Sequence, residues 1–153
     1  MIKLLNFTTL NLAQKELILS WRNHPSIRKW MVNEHEISLE NHLSFIDLLS
    51  SKTDRLFFLV QKNSDFIGVI NLTEMTDTSA ELGIYANPDM RGVGNSLMTA
   101  LIDYASALGL SKLIANAFIT NVRALNLYQK FEFSEIKRIE QKNKKMITLE
   151  KRL

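Results

Sequence analysis

The chain has no cysteine among its 153 residues, which removes disulfides, thiolate metal sites and a thiol nucleophile together. Proline occurs twice and glycine five times, too few for a low-complexity or linker-rich chain. No apolar run approaches the roughly 20 residues of a bilayer span. The N-terminus, Met1 to Gln14, lacks the basic, apolar and small-residue succession of a secretory signal. The expected location is therefore cytoplasmic. Histidine occurs three times, as His24, His35 and His42, at spacings of eleven and seven; these fit no common ligand pattern, and no metal is expected.

What is present is ordinary in amount and uneven in placement. Hydrophobic residues make 46% of the chain and charged ones 23%, the balance of a globular protein with a sizeable core. The length predicts one domain over residues 1–153. The net charge of +3 conceals a gradient: residues 137–153 carry seven basic and two acidic side chains, so residues 1–136 sum to −2. A basic tail raises nucleic acid as a partner, but RNA recognition wants aromatic rings among the cations, and 137–153 contains none. The tail falls on a closing hairpin with Lys142-Asn143-Lys144-Lys145 as its polar turn, and its charge suits a solvated sheet edge. At most it adds a mild attraction for phosphate-bearing ligands.

The order of elements follows from periodicity. Ile2–Phe7 is β-prone. Leu10, Leu12, Leu17, Ile18 and Trp21 recur at near-helical spacing and predict a first helix. It should end in Arg22-Asn23-His24-Pro25, because the residue before a proline leaves the helical region. Ser38 predicts the N-cap of a second helix with an apolar face from Leu39 to Leu49. Leu56–Gln61 and Phe66–Leu72 read as a hairpin about Lys62-Asn63-Ser64-Asp65. Ala80–Ala86 is a third run, closed by Asn87-Pro88. A helix through Leu97, Leu101, Tyr104 and Leu108 ends at Gly109. A strand over Lys112–Thr120, a short helix over Asn121–Phe131 and a hairpin of Phe133–Glu140 with Met146–Leu153 complete the chain. Strands interleaved with helices predict an α/β fold, a mixed sheet with helices on its faces.

Two segments carry chemistry. Asn87-Pro88-Asp89-Met90-Arg91-Gly92-Val93-Gly94-Asn95-Ser96 runs from a strand into the long helix. Gly92 and Gly94 permit a sharp turn and close approach of a ligand. The amides of Arg91 to Ser96 would stand unpaired at a helix N-terminus, where the macrodipole favours an anion. A pyrophosphate suits such a loop, although a plain βα turn would use the same glycines. A nucleoside triphosphate loop needs Gly-Lys-Ser/Thr after its last glycine, and a dinucleotide fingerprint needs a third glycine and an acidic residue about 20 positions on. Neither pattern is met. The second segment runs from Asn121 to Phe133; Asn121 can cap a short helix whose Ala124, Leu127, Tyr128 and Phe131 share one face. Taken alone, Tyr128 reads first as a core aromatic.

Together the two segments resemble the GNAT superfamily of acetyl-CoA-dependent N-acetyltransferases. Its phosphate loop, Arg/Gln-x-x-Gly-x-Gly/Ala, is matched by Arg91 to Ser96. Its helix pattern, Asn-x-x-Ala-x-x-Leu-Tyr-x-x-x-Gly-Phe, is matched by Asn121, Ala124, Leu127, Tyr128 and Phe133. Ser96 stands for the last Gly/Ala, and Glu132 for the glycine before Phe133. The resemblance implies the acyl-CoA N-acyltransferase fold, a twisted mixed sheet of about seven strands flanked by about four helices. It implies acetyl-CoA as co-substrate, in the splay between the Ala80–Ala86 and Lys112–Thr120 strands. Pantetheine would pair with the backbone of Ile84 and Ala86, and pyrophosphate with the amides of Arg91, Gly92, Val93, Gly94, Asn95 and Ser96, with Asn121 also on the cofactor side. It implies direct attack of an uncharged amine, with Tyr128 protonating the departing thiolate, a contribution of ~10²–10⁴-fold. Glu81 is the candidate general base, acting through water. Glu74 and His42 are rivals, and an amine of modest pKa can lose its proton to solvent.

Within the superfamily the first two helices largely choose the acceptor. Trp21-Arg22-Asn23-His24-Pro25, Trp30-Met31, His42-Leu43 with Phe45-Ile46, and Gly83-Ile84-Tyr85 with Pro88 resemble the N-acetyltransferases of pseudaminic acid biosynthesis, which serves flagellin glycosylation. That resemblance implies transfer to the 4-amino group of UDP-4-amino-4,6-dideoxy-N-acetyl-β-L-altrosamine. The residues suit it: Arg22 could grip the diphosphate with its planar fork. Met31, Phe45 and Tyr85 could form an apolar slot for the 6-deoxy methyl, and His42 could bond the nucleotide or a hydroxyl. Singly, each also reads as an ordinary salt-bridge, core or helix residue. The rival acceptors are N-termini of ribosomal proteins or other peptides, whose positive charge Glu34, Glu36 and Glu40 would receive. Outside the enzymes the rival is a non-catalytic CoA-binding module, against which Tyr128 speaks. The expected partners are thus acetyl-CoA and the UDP-amino sugar, without nucleic acid or membrane, in a monomer or a homodimer.

Overall fold

The computed structural model describes residues 1–141 and 143–153. Of the expected turn at 142–145, Lys142 lies outside the described residues, and Lys144 and Lys145 belong to the last strand, paired with Gln141 and Glu140, and not to the turn. Among the described residues, seven strands form one sheet in the order β1-β2-β3-β4-β5-β7-β6. They are β1 Ile2–Asn6, β2 Leu56–Lys62, β3 Asp65–Thr73, β4 Ser79–Ala86, β5 Lys112–Phe118, β6 Ser134–Gln141 and β7 Lys144–Arg152. The near-continuous apolar runs of β2 and β3 are those of strands covered on both faces, and Leu59, Val60, Val69 and Ile70 are all buried. Asn63, in the β2–β3 turn, adopts φ 56°, a left-handed conformation that asparagine tolerates better than most residues.

Every neighbouring pair is antiparallel except β4 and β5. These run parallel and pair only at Ser79↔Lys112, Ala80↔Leu113 and Glu81↔Ile114. Beyond Glu81 they part, while β4 stays paired with β3 as far as Gly68↔Ala86. Asn87 donates its N–H to the Ile67 carbonyl at 2.9 Å. Backbone polar groups alternate sides along a strand, so those of Ile84 and Ala86 face the opening.

The helices cover the two faces separately. On one, α4 (Gly94–Ala107) buries Leu97, Met98, Leu101 and Ala105 against Phe58, Ile70, Leu82 and Leu113, and α5 (Val122–Lys130) adds Tyr128. On the other, α1 (Leu12–Arg22), α2 (Pro25–Arg28) and α3 (Leu39–Leu49) bring Ile18, Trp21, Ile27, Ile46 and Leu49 onto Leu59 and Val69. The expected caps are present: Ser38 accepts from Asn41 N–H at 3.1 Å, and Asn121 from Ala124 N–H at 3.3 Å.

The structure corrects the sequence reading in three places. β1 stops at Asn6, because Phe7–Thr9 forms a 3-10 turn. α1 starts on a full capping box, Asn11 accepting from Gln14 N–H at 2.8 Å and Gln14 from Asn11 N–H at 3.0 Å. Pro25 does expel His24 from the helix (ψ 133°), yet it also opens α2 as its first residue, where its fixed φ and missing N–H are an advantage. Among the described residues, five α-helices thus stand where about four were expected. Among the described residues, no helix is long and apolar enough to cross a membrane.

Candidate active site

The parting of β4 from β5 opens a cleft of about 1160 Å³. Of the residues expected to hold the cofactor, Ile84, Ala86, Arg91, Gly92, Val93, Gly94, Asn95 and Asn121 line it. So do all five expected at the acceptor: Arg22, Met31, His42, Phe45 and Tyr85. Tyr128 and Glu81 line it as well.

Ser96 is the exception. Its hydroxyl accepts from Lys62 Nζ at 3.1 Å and faces a separate cavity of about 620 Å³ between β1 and α4. Its side chain is thereby withdrawn from the cleft: at about 100° per residue, the third residue of α4 points more than half a turn away from the first. Glu74, one rival base, is also misplaced: it is exposed, at φ 48°, in the turn after β3.

The loop before α4 is shaped for an anion. Gly92 has φ +73°, and a Cβ there would meet nothing within 4 Å, so the glycine answers the backbone turn and not crowding. The N-cap of α4 is Val93, which makes no side-chain capping bond. The first bond of the helix runs from Leu97 N–H to Val93 O at 3.0 Å, leaving the amides of Gly94, Asn95 and Ser96 without an intrahelical acceptor. Valine is among the poorest N-caps. A helix start left uncapped beside a cleft fits a phosphate, which supplies the missing acceptors.

Tyr128 is set by the way α5 ends. Phe133 N–H bonds to Tyr128 O and Glu132 N–H to Gln129 O, each at 3.0 Å, the paired bonds of a Schellman motif. Its accompanying hydrophobic contact is Tyr128 on Phe133, with ring centroids 5.6 Å apart. Glu132 supplies the left-handed residue of that motif at φ 69°, in the place a glycine usually takes. The Tyr128 ring is 7% exposed. Burial, and after it the Glu81 carboxylate, push its hydroxyl up to about 12.

Glu81 sits in a polar line that crosses the sheet. Asn116 donates its amide to Glu81 Oε1, and Thr148, only 3% exposed, donates its hydroxyl to Asn116 Oδ1. A carboxylate only accepts, so the Asn116 N–H₂ must face Glu81, which leaves Oδ1 to take the Thr148 hydroxyl. Sequence reasoning missed both residues. The available signal was alternation: Asn116 lies two positions past Ile114, the β5 partner of Glu81, and so shares its face.

On the acceptor side, Phe45 meets Phe57 edge-on at 5.1 Å, and Met31 and Tyr85 pack at the margin of the same apolar cluster. His42 is 5% exposed, and its Nε2 lies 2.8 Å from the Lys15 carbonyl. A carbonyl only accepts, so Nε2 carries the proton and Nδ1 alone is free for a ligand. Burial holds the imidazole below its usual range, the Lys15 bond opposing. Arg22 donates Nη2 to Asn33 O at 3.2 Å, while its buried Nη1 has no partner among the described residues. Burial lowers the Arg22 guanidinium, Tyr85 opposing, and burial raises the Tyr85 phenol, Arg22 opposing. Glu34 pairs with Lys144 and Glu36 with Arg28 at 3.9 Å. Among the described residues, no group of three or more His, Asp or Glu is arranged to hold a metal ion.

A sheet unzipped between two parallel strands, next to a helix start short of acceptors, is built for a long ligand with an anionic end. The chain belongs to the acetyltransferase (GNAT) domain family, whose family model matches residues 5–134. It is an enzyme of that class. More particularly, it is 43% identical over 135 residues to Acetyltransferase PseH of Campylobacter jejuni, covering 88% of this chain and 85% of that relative. The crystal structure of C. jejuni N-acetyltransferase PseH in complex with acetyl coenzyme A superposes with a TM-score of 0.79 at 36% identity, covering 97% of this chain and 98% of the other. Spermidine N-acetyltransferase from Vibrio cholerae, in complex with CoA and spermine, gives a TM-score of 0.88 at 19% identity over 99% and 95% of the two chains. That last likeness is one of fold alone.

Proposed function

We propose that this enzyme transfers acetyl from acetyl-CoA to the 4-amino group of UDP-4-amino-4,6-dideoxy-N-acetyl-β-L-altrosamine, as a step of pseudaminic acid biosynthesis. The donor supplies an acetyl thioester and a leaving thiolate. The chain's own groups then have defined work. Unpaired backbone at Ile84 and Ala86 and the amides from Arg91 to Ser96 hold the donor; the side chain of Ser96 takes no part. Glu81, steadied by Asn116, receives the proton of the attacking amine. Tyr128 holds a proton beside the leaving sulfur, and a phenol pushed up to about 12 remains protonated throughout the neutral range. As the C–N bond forms and the C–S bond breaks, that proton offsets the charge growing on sulfur.

The observation that carries the acceptor assignment is Arg22. A buried guanidinium nitrogen without a partner wants an anion, and the diphosphate of a sugar nucleotide provides one. The same charge opposes a cationic acceptor, whether a peptide N-terminus or a polyamine. The acidic residues that a peptide would need are engaged elsewhere: Glu34 by Lys144 and Glu36 by Arg28. Glu40 lies outside the cleft lining.

The test is an acetyl-transfer assay offering the 4-amino UDP-sugar beside N-terminal peptides and spermidine. The expected result is a kcat/KM for the sugar at least about 100-fold above the others, the discrimination that a site built around one charged group can reach. Preference for a peptide or a polyamine overturns the assignment.

A further inference from the structure

In the middle of the sheet, two residues disfavoured in strands stand side by side. Asn71 of β3 is directly paired with Gly83 of β4. Asparagine and glycine are both depleted in strands, and an interior glycine weakens one. Gly83 is not among the glycines with positive φ, so backbone geometry does not require it. Close approach does. A Cβ on Gly83 would lie 2.5 Å from Asn71 Oδ1, 2.6 Å from Nδ2 and 2.9 Å from Cγ. The Asn71 carboxamide therefore reaches over β4 with its O–N edge toward Gly83, in a slot that exists only because Gly83 has no side chain.

The slot opens on the acceptor. Asn71, Thr73 and Gly83 all line the cleft. Strand alternation places Asn71 on the same face as Glu81 and Tyr85, whose cross-strand partners are Thr73 and Val69, and this is the face that α1 to α3 cover. The hydrogen bonds of neighbouring cleft side chains run elsewhere, from Asn116 to Glu81, from Thr148 to Asn116 and from Arg22 to Asn33. Among the described residues, the Asn71 amide has no protein partner. A carboxamide offers two donors and an acceptor from one rigid plane, which suits a group that both donates and accepts.

We infer that Asn71, seated over Gly83, is a specificity-determining residue that reads the hydroxyl or the acetamido substituent on the sugar ring that bears the reacting amine. The inference rests on the sugar reading above, and it adds a polar contact on the sheet floor to the apolar and cationic walls that the helices supply.

The experiment measures KM for each substrate separately, together with thermal stability, for Asn71→Leu, Asn71→Ala, Gly83→Ala and the Asn71→Ala/Gly83→Ala double variant. Losing a hydrogen bond to the acceptor should raise its KM about tenfold in Asn71→Leu, with KM for acetyl-CoA unchanged within about twofold. Gly83→Ala should reproduce that loss by displacing the amide, and should melt lower than wild type. The double variant should melt higher than Gly83→Ala alone, because the clash is gone, and should lose no further affinity for the acceptor. A sugar lacking the 2-acetamido group assigns the contact: if Asn71→Leu no longer matters for that sugar, the acetamido is read, and if it still matters, a hydroxyl is. An acceptor KM unmoved in Asn71→Leu, or moving in step with that for acetyl-CoA, overturns the inference. If the wild type ignores the sugar, the acceptor assignment fails, and the same KM split is then measured on whichever amine of the panel it acetylates.

Discussion

Tyr128 owes its position to the last turn of α5, and this separates its chemistry from its packing. Its ring is held through Phe133 and the backbone bonds that close the helix, none of which uses the hydroxyl. Tyr128→Phe should therefore leave the fold and the acetyl-CoA dissociation constant unchanged by calorimetry, while kcat falls ~10²–10⁴-fold. Because the hydroxyl titrates only near 12, any limb of the pH–rate profile below about pH 10 should keep its place in the variant. Four residues on, Glu132 occupies a left-handed conformation that costs a side-chain-bearing residue about 1–2 kcal/mol, part of which a glycine returns through its greater freedom when unfolded. Glu132→Gly should stabilise the protein by about 0.5–1 kcal/mol, a rise of about 1.5–3 °C in Tm, with kcat unaltered. A lower Tm would mean that Glu132 is held there by a favourable contact.

At the level of elements, the loop before α4 divides backbone work from side-chain work. Gly92→Ala forces a Cβ onto φ +73° and should weaken acetyl-CoA binding about fivefold or more by calorimetry, the equivalent of about 1 kcal/mol. Ser96→Ala, whose hydroxyl faces Lys62, should change that affinity by less than about twofold. The difference between these two residues was invisible in the sequence, where both belong to one glycine-rich motif; only the helical turn beyond Val93 carries the Ser96 side chain away from the cleft. Strands and long helices were legible because their apolar periods are long enough to count, and Ser38 and Asn121 were legible as caps because their chemistry is local. The single-turn α2 was not, since four residues carry no period and Pro25 reads as a stop before it reads as a start. Asn71, Asn116 and Thr148 were not legible either. Each is a polar residue between two apolar neighbours in a strand, and its meaning depends on which neighbour lies across the ladder, a matter of pairing between residues as far apart as Glu81 and Asn116.

The molecule as a whole is joined along an uneven seam. The sheet is held by long antiparallel ladders on both sides, but between β4 and β5 only three residue pairs meet. The halves are β1 to β4 with α1 to α4, and β5 to β7 with α5. Amide hydrogen exchange should find Ile84 and Ala86 poorly protected without acetyl-CoA, and markedly slower with it, since no β5 backbone stands opposite them. Unchanged exchange on those two amides would show that the donor does not use the β4 edge. A ligand that bridges two plates contributes to their cohesion as well as to their chemistry: at 100 times its dissociation constant, it adds about 2.7 kcal/mol to the folded state. Resistance to proteolysis, which tracks the population of open forms, then follows the supply of the acetyl donor. A cell short of acetyl-CoA would hold a shorter-lived enzyme, and not merely an idle one.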